Sequence, residues 1–340
     1  MGGPGNTTIL VLGGAGFIGS NFIRYALSNV PNAHIVCFDA LTYAGNRENL
    51  KGLSAKRFTF IKGDITDGAH MKRIFAKYEP SYVINFAAES HVDNSIHGGA
   101  EAFVRTNVLG TTVLLEAARK ASSVKKFVQV STDEVYGALS LGSRKKFTER
   151  SPLAPNSPYA ASKASADLIA RAYFVTYALP IVTTRCSNNY GPYQHPEKLI
   201  PYSITRLMEG KPIAIYGDGK YVRDWIHVED HCSALLCALM KGVPGEIYNI
   251  GADEEVDNLT LAKRMLAYFK KKTSEIIFVK DRPGHDRRYA IDASKMEREL
   301  GWKPQHSFRT SFESTIAWYV EHAGWMRRAL ARAGTANTHI

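Results

Sequence analysis

Thr8-Ile9-Leu10-Val11-Leu12-Gly13-Gly14-Ala15-Gly16-Phe17-Ile18-Gly19 decides the fold. Thr8–Leu12 has the apolar character of a buried strand, and a helical pattern runs from Ser20 to Asn29. Glycines 13, 16 and 19 between them form G-x-x-G-x-x-G. One glycine permits a tight turn, one lets backbone approach a pyrophosphate, and one lets helix and strand pack closely. The helix N-terminus then offers free N–H groups and a positive dipole end to phosphate. Alone such a pattern is weak; between a strand and a helix it marks a dinucleotide site. Gly13, Gly16, Phe17, Ile18 and Gly19 are the first cofactor-binding candidates.

Working outward, a second strand, His34–Phe38, ends at Asp39, twenty positions past Gly19. An acid there hydrogen-bonds the adenosine ribose hydroxyls and repels a 2′-phosphate, which selects NAD over NADP. The strand Phe58–Ile61 leads to Asp64 and Ile65. Asp64 suits either the adenine amino group or the N-cap of a helix over Asp67–Tyr78. The strand Tyr82–Phe86 ends in Ala87-Ala88-Glu89-Ser90-His91-Val92-Asp93. Ala87 and Ala88 are small enough for backbone to lie against a dinucleotide, and His91 is a substrate-pocket candidate. Helices over Ala100–Ala121 and Pro158–Tyr177 alternate with strands over Lys126–Val130 and Ile181–Arg185. Strand-helix alternation predicts an α/β fold, a Rossmann-type doubly wound parallel sheet.

After Cys186 the pattern changes to turn clusters, short strands and helices, which predicts a smaller α/β substrate-binding lobe. The expected division is an NAD-binding domain over 7–187, a substrate lobe mainly over 188–328 with segments interleaved with the first, and a tail over 329–340. The chain has 340 residues, 45% hydrophobic and 22% charged, an ordinary globular composition. Net charge is +11, yet the basic residues are scattered and build no basic arm, so no nucleic-acid partner is expected. The four cysteines form no C-x-x-C, which fits reduced thiols in the cytoplasm, and no metal is expected. Met1–Asn6 carries no apolar signal core, and no apolar run reaches membrane-spanning length.

The chemistry concentrates in Ser131-Thr132-Asp133-Glu134-Val135-Tyr136-Gly137, where the fifth strand ends. Ligands bind at the carboxyl ends of strands in such sheets. Two adjacent carboxyls divide acid and base work when their surroundings push their pKa values apart. Tyr159-Ala160-Ala161-Ser162-Lys163 places a phenol and an ammonium at i and i+4 on one helix face. The ammonium stabilises the phenolate, so Tyr159 can accept a hydroxyl proton, with Thr132 bonding the same oxygen.

With these residues in place the chain resembles the extended short-chain dehydrogenase/reductases, and within them the dTDP-glucose 4,6-dehydratase family. The resemblance runs from about Thr8 to Trp325. It rests on Asp39 through Asn46, Ala87 through Asp93, Ser131 through Gly137, Pro155 through Tyr159, Arg185 through Pro201, Tyr216 through Trp225 and Asp281 through Tyr289. The Thr-Asp-Glu run separates dehydratases from epimerases.

The resemblance implies that dTDP-glucose becomes dTDP-4-keto-6-deoxyglucose. Tyr159, helped by Thr132 and Lys163, deprotonates the C4 hydroxyl while NAD takes the hydride. Glu134 then removes the C5 proton and Asp133 protonates the departing C6 hydroxyl. Thr42, Asn188, Tyr159 and Lys163 join the cofactor-binding set. His91, Thr132, Asn188, Glu197, Lys198, Arg223, Asn258, Arg282, His285 and Tyr289 form the substrate set. A homodimer through the two long helices is also implied. The same chemistry on UDP-glucose or another nucleotide hexose, or 4-epimerisation, is the alternative. Two positions depart from the pattern: Leu12, where relatives often have threonine, and Asn94, where many bacterial relatives have arginine.

Overall fold

Seven apolar strands lie side by side because each needs cover on both faces. The structure, a computed structural model, describes residues 7–333. The strands are β1 (Thr7–Leu12), β2 (Ala33–Asp39), β3 (Phe58–Lys62), β4 (Tyr82–Asn85), β5 (Lys126–Thr132), β6 (Ile181–Cys186), β7 (Asn188–Tyr190), β8 (Ile213–Tyr216), β9 (Val222–His227), β10 (Ile247–Ile250), β11 (Glu255–Asp257) and β12 (Ile276–Val279). The main sheet has the order β10-β6-β5-β4-β1-β2-β3, and every neighbouring pair is parallel. The order reverses between β1 and β4, which opens a crevice at the carboxyl edge of the sheet.

Alternation along the strands sends side chains to opposite faces. Ile9, Val11, Ile35, Cys37 and Val128 pack with the helices Phe17–Asn29 and Val228–Lys241. Leu10, Leu12, Val36, Phe38 and Phe127 pack with the helices Gly68–Tyr78 and Thr111–Arg119. Leu12, the departure noted above, is thus a fully buried packing residue.

A further core gathers Ile200 and Ile204, Ile213 and Ile215 of β8, Leu261 and Met265, and Phe308, Phe312 and Trp325. The sheets β11-β9-β7 and β12-β8 lie in this part of the chain. β10 and the helices Val228–Lys241 and Ser294–Leu300 return to the seven-stranded sheet and its first core.

The structure departs from the expectations at several elements. The first helix starts at Phe17, directly after Gly16, and not at Ser20. The long helix over 100–121 is built as Glu101–Phe103, a π-helical stretch Val104–Gly110, and Thr111–Arg119. The π stretch carries Asn107, whose amide bonds Glu89 N (2.8 Å), Glu89 O (3.0 Å) and Ser162 Oγ (2.8 Å). Of the tail placed at 329–340, Ala329 to Ala333 belong to the closing helix Ala323–Ala333. Residues 334–340, and the lead Met1–Asn6, lie outside the described residues. No helix among the described residues is long and apolar enough to cross a membrane.

Candidate active site

The carboxyl ends of β1 to β6 and the loops of the second core enclose one cavity of about 460 Å³. Every candidate residue named above lines it, from Gly13 and Asp39 at one end to Asn258, Arg282 and His285 at the other.

Gly13 has φ +72° and follows β1 into a turn. A Cβ there would sit 2.6 Å from Ala87 N, so only glycine lets the turn lie against the end of β4. A Cβ on Gly19 would come within 2.4 Å of Gly13 O, which sets the close helix–strand approach. Gly16 is the helix N-cap and provides no side-chain cap, so the first-turn N–H groups stay free for an anionic ligand. Asp39, 7% exposed, accepts from Ala15 N (2.8 Å) and Leu41 N (2.7 Å). It therefore joins the end of β2 to the glycine turn.

Of the two readings of Asp64, the structure removes the helix cap. Asp64 accepts from Thr66 N at 2.9 Å in a tight turn, while the cap of the helix Gly68–Tyr78 is Asp67, which accepts from His70 N. Asp64 and Ile65 face the cavity with Thr42, Ala87 and Ala88.

β5 runs two residues further than expected, through Thr132, and a 3-10 turn over Asp133–Tyr136 follows. Thr132 Oγ1 accepts from Glu134 N (3.3 Å) and lies 3.4 Å from Asp133 Oδ1. Asp133 is 2% exposed, and its Oδ2 has no hydrogen-bond partner among the described residues. Burial first, then the Glu134 charge, holds the Asp133 carboxyl well above its ordinary range. Burial also raises Glu134, with Arg282, Arg223 and Lys198 opposing that rise.

Ser157 caps the helix Pro158–Tyr177 through Ala160 N (3.1 Å) and so fixes the turn that presents Tyr159. Burial, then Glu134, raises the Tyr159 phenol well above its usual value. Lys163 Nζ donates to Val130 O at 2.7 Å; burial lowers its pKa and Asp167 opposes that.

On the opposite wall, Asn188 Oδ1 and both Glu197 oxygens are buried without a hydrogen-bond partner among the described residues. Unpaired acceptors of this kind await donors from a ligand. His91 Nε2 (3.8 Å), His195 Nδ1 (3.6 Å) and Lys198 Nζ (3.8 Å) surround Glu197. Burial pulls His91 and His195 down to about 4, so both are neutral at pH 7. His91 also caps the short helix Val92–His97, its Nδ1 accepting from Asn94 N at 3.2 Å. Lys198 Nζ donates to Ser90 O at 2.9 Å.

Arg223, 6% exposed, donates to Val222 O (2.8 Å) and Asp286 O (2.9 Å) and lies 4.3 Å from the Tyr289 ring centre. Tyr289 donates to Asp286 Oδ2 at 2.6 Å. Arg282 pairs with Asp93 at 3.2 Å. His285 bonds Asp281 (2.8 Å) and stacks on Tyr221 at 3.7 Å. The site thus has a glycine cradle at one end, two guanidinium groups at the other, and an acid pair, a phenol and an ammonium between. His195 and Tyr216 also line it and were not singled out from sequence. The signal for His195 was its place two residues before Glu197.

A family profile described as GDP-mannose 4,6 dehydratase matches residues 10–315. A dTDP-glucose 4,6-dehydratase of Xanthomonas campestris pv. campestris (strain B100) is 50% identical over 341 residues, covering 95% of this chain and 96% of that protein. The crystal structure of DesIV, a dTDP-glucose 4,6-dehydratase from Streptomyces venezuelae with NAD and TYD bound, superposes with a TM-score of 0.91 at 48% identity, covering 95% of this chain and 100% of that one. A UDP-glucose 4-epimerase from Thermotoga maritima superposes with a TM-score of 0.86 but is 31% identical, over 93% of this chain and 100% of that one. The fold is therefore shared with epimerases, while sequence identity is higher to the dehydratases. The chain belongs to the GDP-mannose 4,6 dehydratase family and, within it, groups with the dTDP-glucose 4,6-dehydratases.

Proposed function

We propose that the chain is an NAD-dependent dTDP-glucose 4,6-dehydratase, a hydro-lyase that forms dTDP-4-keto-6-deoxyglucose. The observation that carries this reading is the adjacency of Asp133 and Glu134 in the cavity that also holds Tyr159 and Lys163. The glycine cradle and the uncapped helix fit a dinucleotide. Gly13, Gly16, Gly19 and Asp39 would hold it, with Thr42, Asp64, Ile65, Ala87, Ala88, Asn188, Tyr159 and Lys163. Bound NAD accepts a hydride from sugar C4 and returns it at C6, ending oxidised.

The chain's own residues handle the protons. Tyr159, hydrogen-bonded through the sugar hydroxyl to Thr132, takes the C4 hydroxyl proton. Burial and Glu134 disfavour its phenolate, so the resident ammonium of Lys163 is needed to stabilise it. A keto group at C4 acidifies the C5 proton, which Glu134 removes. Asp133, kept protonated by burial, gives its proton to the C6 hydroxyl, water leaves, and C5 is reprotonated as the hydride returns to C6. Glu197 and Lys198 face the sugar, while Arg223, Arg282, Asn258 and His285 hold the diphosphate end, where planar guanidinium groups bond phosphate in pairs.

The working form we infer is a cytoplasmic homodimer. Val104 and Leu109 on one long helix, with Leu168, Val175 and Tyr177 on another, are exposed apolar groups that a second copy would cover. Light scattering tests this: Leu168→Asp with Val175→Asp should halve the mass of the particle.

The deciding experiment incubates the protein with dTDP-glucose and UDP-glucose in parallel and reads product mass. Loss of one water from the dTDP sugar is expected. Unchanged mass with inversion at C4 would identify an epimerase, and preference for UDP-glucose would reassign the substrate.

A further inference from the structure

One helical turn beyond Lys163 lies Asp167, spaced from Lys163 as Lys163 is from Tyr159. Asp167 is 4% exposed, and its Oδ2 accepts from Arg185 Nε of β6 at 2.9 Å. Its Oδ1 makes no direct hydrogen bond among the described residues, although the Ser131 hydroxyl faces the carboxyl. Arg185, 3% exposed, also donates to Tyr136 Oη at 3.0 Å and lies 4.8 Å from that ring centre. Tyr136 in turn donates to Asn249 Oδ1 at 2.8 Å. Neither Asp167 nor Arg185 lines the cavity. A buried ion pair is weak evidence for stability, since desolvation offsets the attraction. Its placement directly behind the tyrosine–lysine couple points to electrostatics.

We propose that Asp167 and Arg185 are positioning residues for the proton-transfer couple, fixing from behind the charge that Lys163 and Tyr159 share. The inference rests on Tyr159 being the base of the proposed dehydration. With Lys163, Asp167 and Arg185 ionised, the buried cluster carries one net positive charge. An ionised Tyr159 brings it to zero, so proton loss from the phenol is the step that neutralises it. Removing the Asp167 charge leaves two positive charges, which loss of the Lys163 proton relieves. Removing the Arg185 charge leaves zero, and a Tyr159 phenolate then becomes an uncompensated buried anion.

The groups facing the cluster from each element are few. Glu134, Asp133 and Cys186 face Tyr159, and all three disfavour its ionisation. Asp167 and Cys186 face Lys163 and favour its charge. Arg185, the Ser131 hydroxyl and Lys163 face Asp167 and act against the burial that raises its carboxyl. Asp167 and Tyr136 face Arg185, and Glu149 lies beyond Tyr136. None of these supplies a negative charge to Lys163 comparable with Asp167.

The test uses full-length, NAD-loaded protein carrying Asp167→Asn, Arg185→Gln or both. Wild-type loss of water from dTDP-glucose is measured first, and its absence would sink the functional reading, not this inference. Two readouts follow: the pH profile of kcat, and the ultraviolet phenolate signal of Tyr159, taken as the difference from a Tyr159→Phe partner. Asp167→Asn should move both limbs down by about one unit or more, because Lys163 and Tyr159 each lose a proton sooner. Arg185→Gln should move the acid limb and the Tyr159 titration up by a similar amount. The double variant should return both limbs near wild type, and KM should stay within about twofold, since neither residue lines the cavity. If Asp167→Asn does not fold, Arg185→Lys must leave the limbs in place while Arg185→Gln moves the acid limb. Limbs and phenolate titration unmoved by either single charge change would overturn the proposal, as would Arg185→Lys and Arg185→Gln giving the same profile.

Discussion

Replacing Asp39 tests whether one carboxylate both shapes the glycine turn and selects the cofactor. Its two oxygens accept from Ala15 N and Leu41 N at 2.8 and 2.7 Å. Asparagine keeps the shape but turns one oxygen into an NH₂ that faces a backbone donor. At least one charge-assisted bond is lost, and such bonds contribute about 1.5–3 kcal/mol. At roughly 1.4 kcal/mol per tenfold, the NAD dissociation constant should rise about 10- to 150-fold. Asp39→Ala should fall at the upper end, because Leu41 then holds its φ of 55° without the carboxylate that bonds its N–H. The assay is calorimetric titration of NAD into cofactor-stripped protein near neutral pH, with NADP in parallel. Discrimination against NADP should narrow, because the charge that repels a 2′-phosphate is gone. Burial raises the Asp39 pKa, and the two N–H donors oppose this. It therefore takes up a proton at a higher pH than an exposed aspartate, and wild-type NAD affinity should fall as pH drops through that range. The sign for the unliganded fold is opposite: the contribution to stability is present below the unfolded pKa and lost as pH rises through the folded one. NAD affinity within twofold of wild type in both folded variants would refute the reasoning.

Two further outcomes are expected. Glu134→Gln should lower dehydration by at least about a hundredfold while NAD content stays at the wild-type level, since general bases contribute factors of that size; near-normal turnover would remove Glu134 from the base role. Trp325 Nε1 donates to Asn49 Oδ1 at 2.9 Å, and Asn49 Nδ2 donates to Ala15 O at 3.0 Å, so the closing helix braces the glycine turn. Trp325→Ala should cost about 3–5 kcal/mol in denaturant titrations, whereas Arg328→Ala, which breaks an exposed pair with Glu48, should leave the midpoint unchanged; equal losses would place the brace elsewhere.

The main sheet was legible because its strands are buried on both faces and so read as continuous apolar runs ending in turns. β11 was not, because Glu255-Val256-Asp257 has no apolar run and is defined by pairing with β9, thirty residues earlier in the chain. Only the end of the closing helix, from Ala329, was placed in a tail, because the groups that Arg332 bonds there, Gly45 and Asn46, lie far away in sequence. The π stretch was hidden inside a helical pattern, and the three bonds of Asn107 that accompany it reach Glu89 and Ser162, which are remote in sequence. In the site, residues carried by motifs were visible. Asp67, not Asp64, took the cap because capping depends on a one-turn register that spacing alone leaves open. Asp167 carries no motif, Arg185 only opens the matching stretch that runs to Pro201, and only the fold brings the two together.

Adjacent acids with opposite duties need something to decide which one ionises, and the surrounding cations do this. Asp133 is raised by burial, by Glu134 and by Asp224, with Arg223 a lesser opposing influence. Glu134 is raised by burial too, but its next three influences are Arg282, Arg223 and Lys198, all lowering. Glu134 is thus the member that gives up its proton. A nucleoside diphosphate held by Arg223 and Arg282 brings negative charge to those same cations and offsets their pull. The Glu134 pKa should therefore rise in the complex, making it a stronger base only when substrate is present. The profile of kcat/KM reports the free enzyme and that of kcat the complex, so the acid limb of kcat should lie at higher pH, by about one unit. Arg282→Met, which also frees Asp93 from its 3.2 Å pair, should raise the free-enzyme limb and close most of the gap. Superimposable limbs in the wild type, or a gap that Arg282→Met leaves intact, would mean that the diphosphate and the base are electrostatically independent.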